Sequence, residues 1–108
     1  MYQRLRTALI AICAVSPALA VDYITDIQPI LRASCYSCHT GDKAGGGLRL
    51  DSKTAAFSGG ASGKAIVPGN PEASLILRRL TSPDKSQRMP LGGTPLDPAK
   101  IDLIRRWV

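Results

Sequence analysis

The pentapeptide Cys35-Tyr36-Ser37-Cys38-His39 limits the possible structures of this chain more than any other segment. Two thiols three positions apart lie on one side of a helical turn, and an imidazole follows the second thiol directly. This C-x-x-C-H pattern is typical of c-type haem attachment. The thiols can add to the two vinyl groups of one porphyrin, and the histidine is then held under the iron as an axial ligand. We therefore predict one covalent haem c, bound through Cys35 and Cys38, with His39 as the proximal iron ligand.

Three other interpretations of the motif are open. A disulfide between Cys35 and Cys38 would suit an oxidising compartment, but it gives His39 no role. A thioredoxin-like redox pair is expected beside a βαβ pattern, which the sequence lacks. A zinc site needs four nitrogen or sulfur ligands, and residues 21–108 contain only two Cys and one His. Haem attachment uses all three residues.

The remaining side chains are too few and too small for an ordinary core. The chain of 108 residues allows one small domain, and residues 21–108 include only four aromatic residues. A domain of this size buries roughly 60% of its unfolded surface, which is marginal without a further stabilising element. The segment 41–69 is rich in Gly, Ala and Ser. A cofactor is therefore expected to fill the interior.

Residues 1–20 have the layout of a cleaved secretory signal. Arg4 and Arg6 precede an apolar run over 7–15, and small residues at Ala18 and Ala20 predict cleavage after Ala20. The apolar run is shorter than the roughly 20 residues that span a bilayer. A lipoprotein at Cys13 is disfavoured because Ile12 stands where a small residue is required. We expect residues 21–108 to be periplasmic, without a membrane span.

The charge of the chain is mildly basic. The net charge of +6 includes two leader arginines, so residues 21–108 hold 12 basic and 8 acidic residues, a formal +4. This excludes the dense basic stripe of a nucleic-acid binder. It suits acidic redox partner proteins, because complementary charge raises the encounter rate. The doublets Arg78-Arg79 and Arg105-Arg106 are interpreted either as solvated helix faces or as a docking patch.

A second iron ligand follows by elimination. His39 is the sole histidine, and Met89 is the sole methionine after residue 20. Met89 lies in a loop rich in Pro and Gly, where its thioether can reach the distal side of the iron and raise the reduction potential. As an alternative, Met89 fills the core, although core methionines usually lie on periodic helical faces. We predict Met89 as the distal iron ligand.

The hydrophobic pattern predicts an all-α domain of three to four helices with long loops. The first helix begins at Thr25 or Asp26, the second at Asn70-Pro71 and the third at Asp97-Pro98, each marked by a capping residue. The third is expected to pack against the first through Ile101, Ile104, Trp107 and Val108. The predicted apolar positions of the first two helices are Ile24, Ile27, Ile30 and Leu31, and Leu75, Ile76 and Leu80. Residues 41–69 are predicted as loop, with Leu48, Leu50, Phe57, Ile66 and Val67 facing the haem.

Several short segments together resemble one family. They are Asp26-Ile27-Gln28-Pro29-Ile30-Leu31, Cys35 to His39, Gly46-Gly47-Leu48-Arg49-Leu50-Asp51, Ala65-Ile66-Val67-Pro68-Gly69, Pro71-Glu72, Arg88-Met89-Pro90, and Leu103 to Val108. Residues 22–108 resemble the planctomycete-type cytochrome c domain of the class I cytochrome c superfamily. The resemblance implies a helical haem fold with His39 and Met89 as axial ligands. It also implies that residues 21–108 can be the N-terminal module of a longer exported protein.

The function expected from these residues is electron transfer by a single-haem cytochrome, not catalysis. With both axial positions taken, the iron cycles between Fe3+ and Fe2+ by outer-sphere transfer. Arg49 and Lys64 are interpreted as partners of the haem propionates or as ordinary solvated charges. Two other functions stay open. One is a gas or peroxide sensor, or a catalytic domain, with a labile Met89. The other is an electron relay within a larger oxidoreductase.

Overall fold

The structure is a computed structural model that describes residues 8–12 and 20–108. The predicted signal segment, with Arg4, Arg6, Cys13 and Ala18, therefore lies largely outside the described residues. Within the described part, four α-helices alternate with loops, and no strand is formed. This confirms the all-α prediction for that part. None of the helices found there is long and apolar enough to cross a bilayer.

The first helix begins earlier than predicted. The Asp22 carboxylate accepts hydrogen bonds from the Thr25 backbone N–H at 3.0 Å and its hydroxyl at 2.8 Å. A π-helical turn, Tyr23–Ile27, follows, and it continues into helix α1, Gln28–Ser34. Pro29 has no N–H to donate to the preceding turn and its ring crowds the carbonyl four residues back, which accounts for a widened turn there. The predicted start at Thr25 or Asp26 was wrong.

The buried side of this first helical segment is narrower than predicted. Ile27, Ile30 and Leu31 are buried, as expected from their spacing. Ile24 is 61% exposed, so its inclusion in the core was wrong. Since the wide turn shifts the angular position of residues before Gln28, the regular helical period does not extend back to Ile24.

The predicted loop over 41–69 contains a short helix, α2, Lys53–Ser58. The Ser52 hydroxyl accepts a hydrogen bond from the Ala55 N–H at 3.1 Å, which caps the first turn. Gly59 ends the helix with φ of 77°, a conformation that favours glycine. A Cβ at Gly59 would lie 2.7 Å from the Gly63 carbonyl oxygen, so the chain also needs glycine for close approach.

The second predicted helix is divided in two. Pro71–Ala73 forms a single 3₁₀ turn capped by Asn70, and helix α3, Leu75–Leu80, begins after Ser74. Ser74 is fully buried and extended, and its hydroxyl donates to the Asn70 carbonyl at 2.8 Å and accepts from the Val67 N–H at 2.9 Å. These bonds keep Ser74 in its extended conformation between the 3₁₀ turn and α3. Helix α3 buries Ile76, Leu77 and Leu80, of which Leu77 was not predicted.

The last helix, α4, Pro98–Trp107, has the predicted start, since the Asp97 carboxylate accepts from the Ala99 N–H at 2.8 Å. Ile104 is buried, and α4 packs against the π-helical turn and α3. The Trp107 ring lies 5.5 Å from the Tyr23 ring and 5.6 Å from the Phe57 ring, measured between centroids. The predicted packing of this helix against the first helical segment is confirmed.

Candidate functional site

The Cys35–His39 segment forms one tight turn that continues from α1. The Cys35 N–H donates to the Leu31 carbonyl at 2.8 Å, and the His39 N–H donates to the Cys35 carbonyl at 3.0 Å. Cys35 is partly buried and Cys38 is exposed, and both are free thiols. The turn therefore fixes the three residues relative to each other through its backbone.

The His39 ring is oriented by a residue that the sequence did not identify. Its Nδ1 lies 2.9 Å from the Leu48 carbonyl oxygen. A carbonyl can only accept, so Nδ1 carries the proton. Nε2 then keeps a free lone pair, which can bind a metal ion. Such a bond to a carbonyl is what orients a ligating histidine. The His39 carbonyl also accepts from the Leu50 N–H at 2.8 Å, so two bonds hold this residue to the 48–50 segment.

The glycine run 45–47 brings Leu48 back to His39. Gly45 donates its N–H to the Cys38 carbonyl at 2.7 Å, and a Cβ at this position would lie 3.3 Å from that oxygen. Gly46 and Gly47 have φ of 59° and 69°. Three consecutive glycines were the available sequence signal for this reversal, although they did not say which carbonyl would meet the imidazole.

A cavity of about 570 Å³ lies beside the motif. Its volume is in the range of cofactor sites, roughly 300–1,000 Å³. Cys35, Cys38, His39 and Met89 all line it, although Met89 lies 50 positions after His39 in the chain. The large apolar residues that line it are Leu48, Leu50, Leu75, Ile76, Leu80 and Leu91. Two separate segments thus bring imidazole nitrogen and thioether sulfur to one apolar space.

Met89 is tied to α3 by its backbone. Its N–H donates to the Arg79 carbonyl at 3.1 Å. The preceding turn is closed by Asp84, whose carbonyl accepts from the Arg88 N–H at 2.8 Å. Ser86 donates to the Asp84 carboxylate through its hydroxyl and its N–H, and these bonds hold the pKa of that carboxyl below its usual value. Met89 is therefore presented by a hydrogen-bonded loop and not by a helical face.

Several predicted neighbours of the cofactor lie elsewhere. Leu48 and Leu50 line the cavity, but Phe57, Ile66 and Val67 do not. Ile66 is fully buried in the core, and Phe57 packs on Trp107. The prediction was wrong for these three positions, since the Phe57 ring is held by Trp107 of α4, Ile66 belongs to the core and Val67 lies outside the lining.

Arg49 and Lys64, which the sequence left open as propionate partners or solvated charges, are also absent from the cavity lining. The Arg49 guanidinium pairs with the Asp51 carboxylate at 2.9 Å and 3.1 Å. Lys64 is exposed and lies outside the lining. The lining instead includes Arg79, which the sequence offered only as part of an arginine doublet.

The chemistry of the cysteines disfavours two of the other interpretations. Burial, and to a lesser degree Cys38, raise the pKa of the Cys35 thiol to about 11. Reactive redox pairs instead depend on a lowered thiol pKa. Among the residues that the structure describes, no group of three or more His, Cys, Asp or Glu is arranged to hold a metal ion. A zinc cluster therefore has no ligand set in this part of the chain.

The residues present fit a haem. The apolar cavity is bordered by two thiols on one turn and by an oriented imidazole, and a thioether lies in the same lining. Nitrogen and thioether sulfur are axial donors used in c-type cytochromes. The site therefore has the donor chemistry of a cytochrome c.

The comparison with family models agrees with this chemistry. The model described as planctomycete cytochrome C matches residues 35–90, just over half of the chain. The chain belongs to the planctomycete cytochrome c family, which implies haem c binding and haem-based electron transfer. The matched segment runs from Cys35 to the residue after Met89. Searches of curated proteins and of solved structures gave no match.

Proposed function

We propose that this chain is an exported, single-haem c-type cytochrome that carries electrons by outer-sphere transfer and is not itself an enzyme. One observation carries the proposal: Cys35, Cys38, His39 and Met89 line the same apolar cavity. Cys35 and Cys38 would hold the haem through thioether bonds, and His39 and Met89 would be its axial ligands. The helical domain that results has a class I cytochrome c-like fold.

Each of these residues has a defined task. His39 offers Nε2, since its Nδ1–H is held by the Leu48 carbonyl. Met89 offers a neutral thioether, which favours ferrous iron and raises the reduction potential. Because the chain supplies two axial donors, no position is left for a substrate. The leucines that line the cavity would exclude water and keep the local dielectric constant low.

Bound haem supplies the one-electron chemistry, and the protein controls access to it. Cys38 and Leu91 are exposed residues of the cavity lining, so one edge of the site faces the surface. A partner protein that docks at this edge would come close to the haem. Electrons could then pass between the two without any bond being made or broken. The formal charge of +4 on residues 21–108 favours acidic redox partners.

Mass spectrometry and absorption spectroscopy of the exported protein test the proposal together. We expect a mass equal to residues 21–108, with any C-terminal extension, plus one haem. The oxidised protein should show the weak band near the red end of the spectrum that marks sulfur ligation by methionine. Met89→Ala should abolish that band, whereas Leu91→Ala, at the exposed rim of the same cavity, should keep it. Colourless protein with free or paired sulfurs at Cys35 and Cys38 would refute the assignment.

Carbon monoxide separates the proposal from a sensor or catalytic function. A firmly bound Met89 leaves the reduced protein resistant to carbon monoxide at neutral pH, and Met89→Ala should bind it. Binding by the unaltered protein would mean that Met89 is labile and would favour the sensor. The hydrogen bond from the Met89 N–H to α3 supports a firm ligand.

A further inference from the structure

Among the described residues that line the cavity, Arg79 is the one with a permanent charge. Arg79 of α3 is part of the lining and is partly buried, whereas its neighbour Arg78 is exposed. The lining residues include no Asp or Glu. Arg79 is thus a cation in a lining that is largely apolar and contains no carboxylate.

Arg79 has no anionic partner among residues 8–12 and 20–108. The ion pairs found there join Arg49 to Asp51, and Arg105 and Arg106 to Asp102. A cation that is partly withdrawn from water is costly unless an anion compensates it. A planar guanidinium is the best side chain for binding a carboxylate through two parallel hydrogen bonds. The site therefore favours a ligand that presents a carboxylate to α3.

We propose that Arg79 binds a propionate carboxylate of the haem and thereby raises the reduction potential. The proposal rests on the proposed haem site and assigns a role that the sequence had offered to Arg49 or Lys64. Arg49 is already neutralised by Asp51, and Lys64 lies outside the cavity lining. A positive charge that compensates the carboxylate disfavours ferric iron, so its removal should lower the potential.

The backbone of Arg79 also holds the loop that carries Met89. The Arg79 carbonyl accepts the Met89 N–H at 3.1 Å. This bond involves only the backbone, so a side-chain substitution at Arg79 leaves its donor and acceptor in place. The role of the guanidinium can therefore be tested separately from the ligation by Met89.

The test compares the reduction potentials of haem-loaded Arg79→Gln, Arg79→Lys and Arg78→Gln at fixed ionic strength. Arg78→Gln is the matched control, since it removes the same charge from the adjacent exposed position. We expect a clear fall in potential for Arg79→Gln, recovery of most of it in Arg79→Lys, and little change for Arg78→Gln. The red band of methionine ligation should persist in all three. Equal potentials in Arg79→Gln and Arg78→Gln, or a larger fall in Lys64→Gln, would overturn the proposal.

A second measurement covers the case in which Arg79→Gln does not accumulate. Resonance Raman bending bands of the haem propionates respond to hydrogen bonding. We expect these bands to shift in Arg79→Lys, which keeps the charge but loses the two-pronged donor, and not in Arg78→Lys. Unshifted bands in Arg79→Lys would refute carboxylate binding by this residue. Failure of the unaltered protein to carry haem would instead refute the proposed function.

Discussion

Two parts of the molecule are built in different ways. The helical frame consists of the π-helical turn with α1, together with α3 and α4, and it is held by buried side chains such as Ile27, Leu31 and Ile104. The second part, the wall, consists of residues 39–50 and 59–65, which line one part of the cavity and are held mainly by backbone hydrogen bonds. The Leu50 N–H donates to the His39 carbonyl at 2.8 Å, and the Ala61 N–H donates to the Gly46 carbonyl at 2.8 Å.

This difference shows what each part needs. Burial of apolar side chains stabilises the frame directly. The wall is rich in glycine and borders the cavity of about 570 Å³, so its own side chains supply little of the contact that would hold it in place. The Cys35–His39 turn, which follows the end of α1 at Ser34, leads from the frame into the wall. We infer that the wall depends on the cofactor much more than the frame does.

The largest expected effect is the loss of the haem. Without the haem, the apolar lining of the cavity of about 570 Å³, which is open along one edge, would lose the burial that a porphyrin gives it. Such a loss is large beside the whole stability of a small domain, about 5–15 kcal/mol. Protein made without the haem-attachment machinery should therefore lack native circular dichroism.

Hydrogen exchange would sharpen this result. In any structure that the apoprotein retains, the amides of Leu50 and Ala61 in the wall should lose protection before the amide of Cys35 at the end of α1. Haem-loaded protein is the control. Native-like circular dichroism with cooperative unfolding of the haem-free chain would show that the wall does not need the cofactor.

The second prediction concerns the frame. Leu31 is fully buried, so Leu31→Ala in the haem-loaded protein should lower the free energy of unfolding by about 2–5 kcal/mol. Ile24→Ala is the matched control from the same helical segment. Ile24 is 61% exposed, and its substitution should change stability by no more than about 0.5 kcal/mol. Urea unfolding measures both, and equal losses would contradict the description of the frame.

The third prediction concerns close approach in the wall. A Cβ at Gly60 would lie 2.7 Å from the Gly46 carbonyl oxygen and 3.0 Å from the Leu48 Cβ. Gly60→Ala must therefore displace backbone near the His39 partner, at a cost of about 1–3 kcal/mol. Gly93→Ala is the control, because its nearest non-neighbouring atom lies 3.5 Å from the new Cβ. The urea unfolding midpoints of the two haem-loaded variants measure this difference. Equal midpoints for Gly60→Ala and Gly93→Ala would refute this account of the wall.

The comparison of the two parts also explains what the sequence could predict. The Cys35–His39 motif and the start of α4 at Asp97-Pro98 are local signals. The family match begins at Cys35, and the Asp97 cap forms as predicted. The break at Ser74 could not be predicted, because it depends on bonds from that hydroxyl to Asn70 and Val67. Helix α2 is only six residues long, too short to show a hydrophobic period.

The candidate site also combines residues that the sequence identified with residues that only the folded chain shows. The sequence singled out Cys35, Cys38, His39 and Met89 from residue type and spacing alone. It did not find the Leu48 carbonyl, since any residue offers a carbonyl and only the folded chain selects one. Nor did it separate Arg79 from Arg78, because the side of α3 that faces the cavity is set by packing and not by charge.

The smallest expected effect lies at the start of the frame. Hydrogen bonds from the Thr25 hydroxyl and N–H hold the pKa of the Asp22 carboxyl below its ordinary value. A lowered pKa in the folded state means that the carboxylate stabilises the fold above about pH 4. This stabilisation should disappear as the pH falls through the lowered pKa of the folded state.

Asp22→Asn keeps a capping oxygen but removes the charge. The melting temperature of the unaltered protein should therefore exceed that of Asp22→Asn slightly at pH 7, and the difference should vanish towards pH 2.5. A constant difference over that range would mean that the charge of Asp22 contributes nothing to the frame.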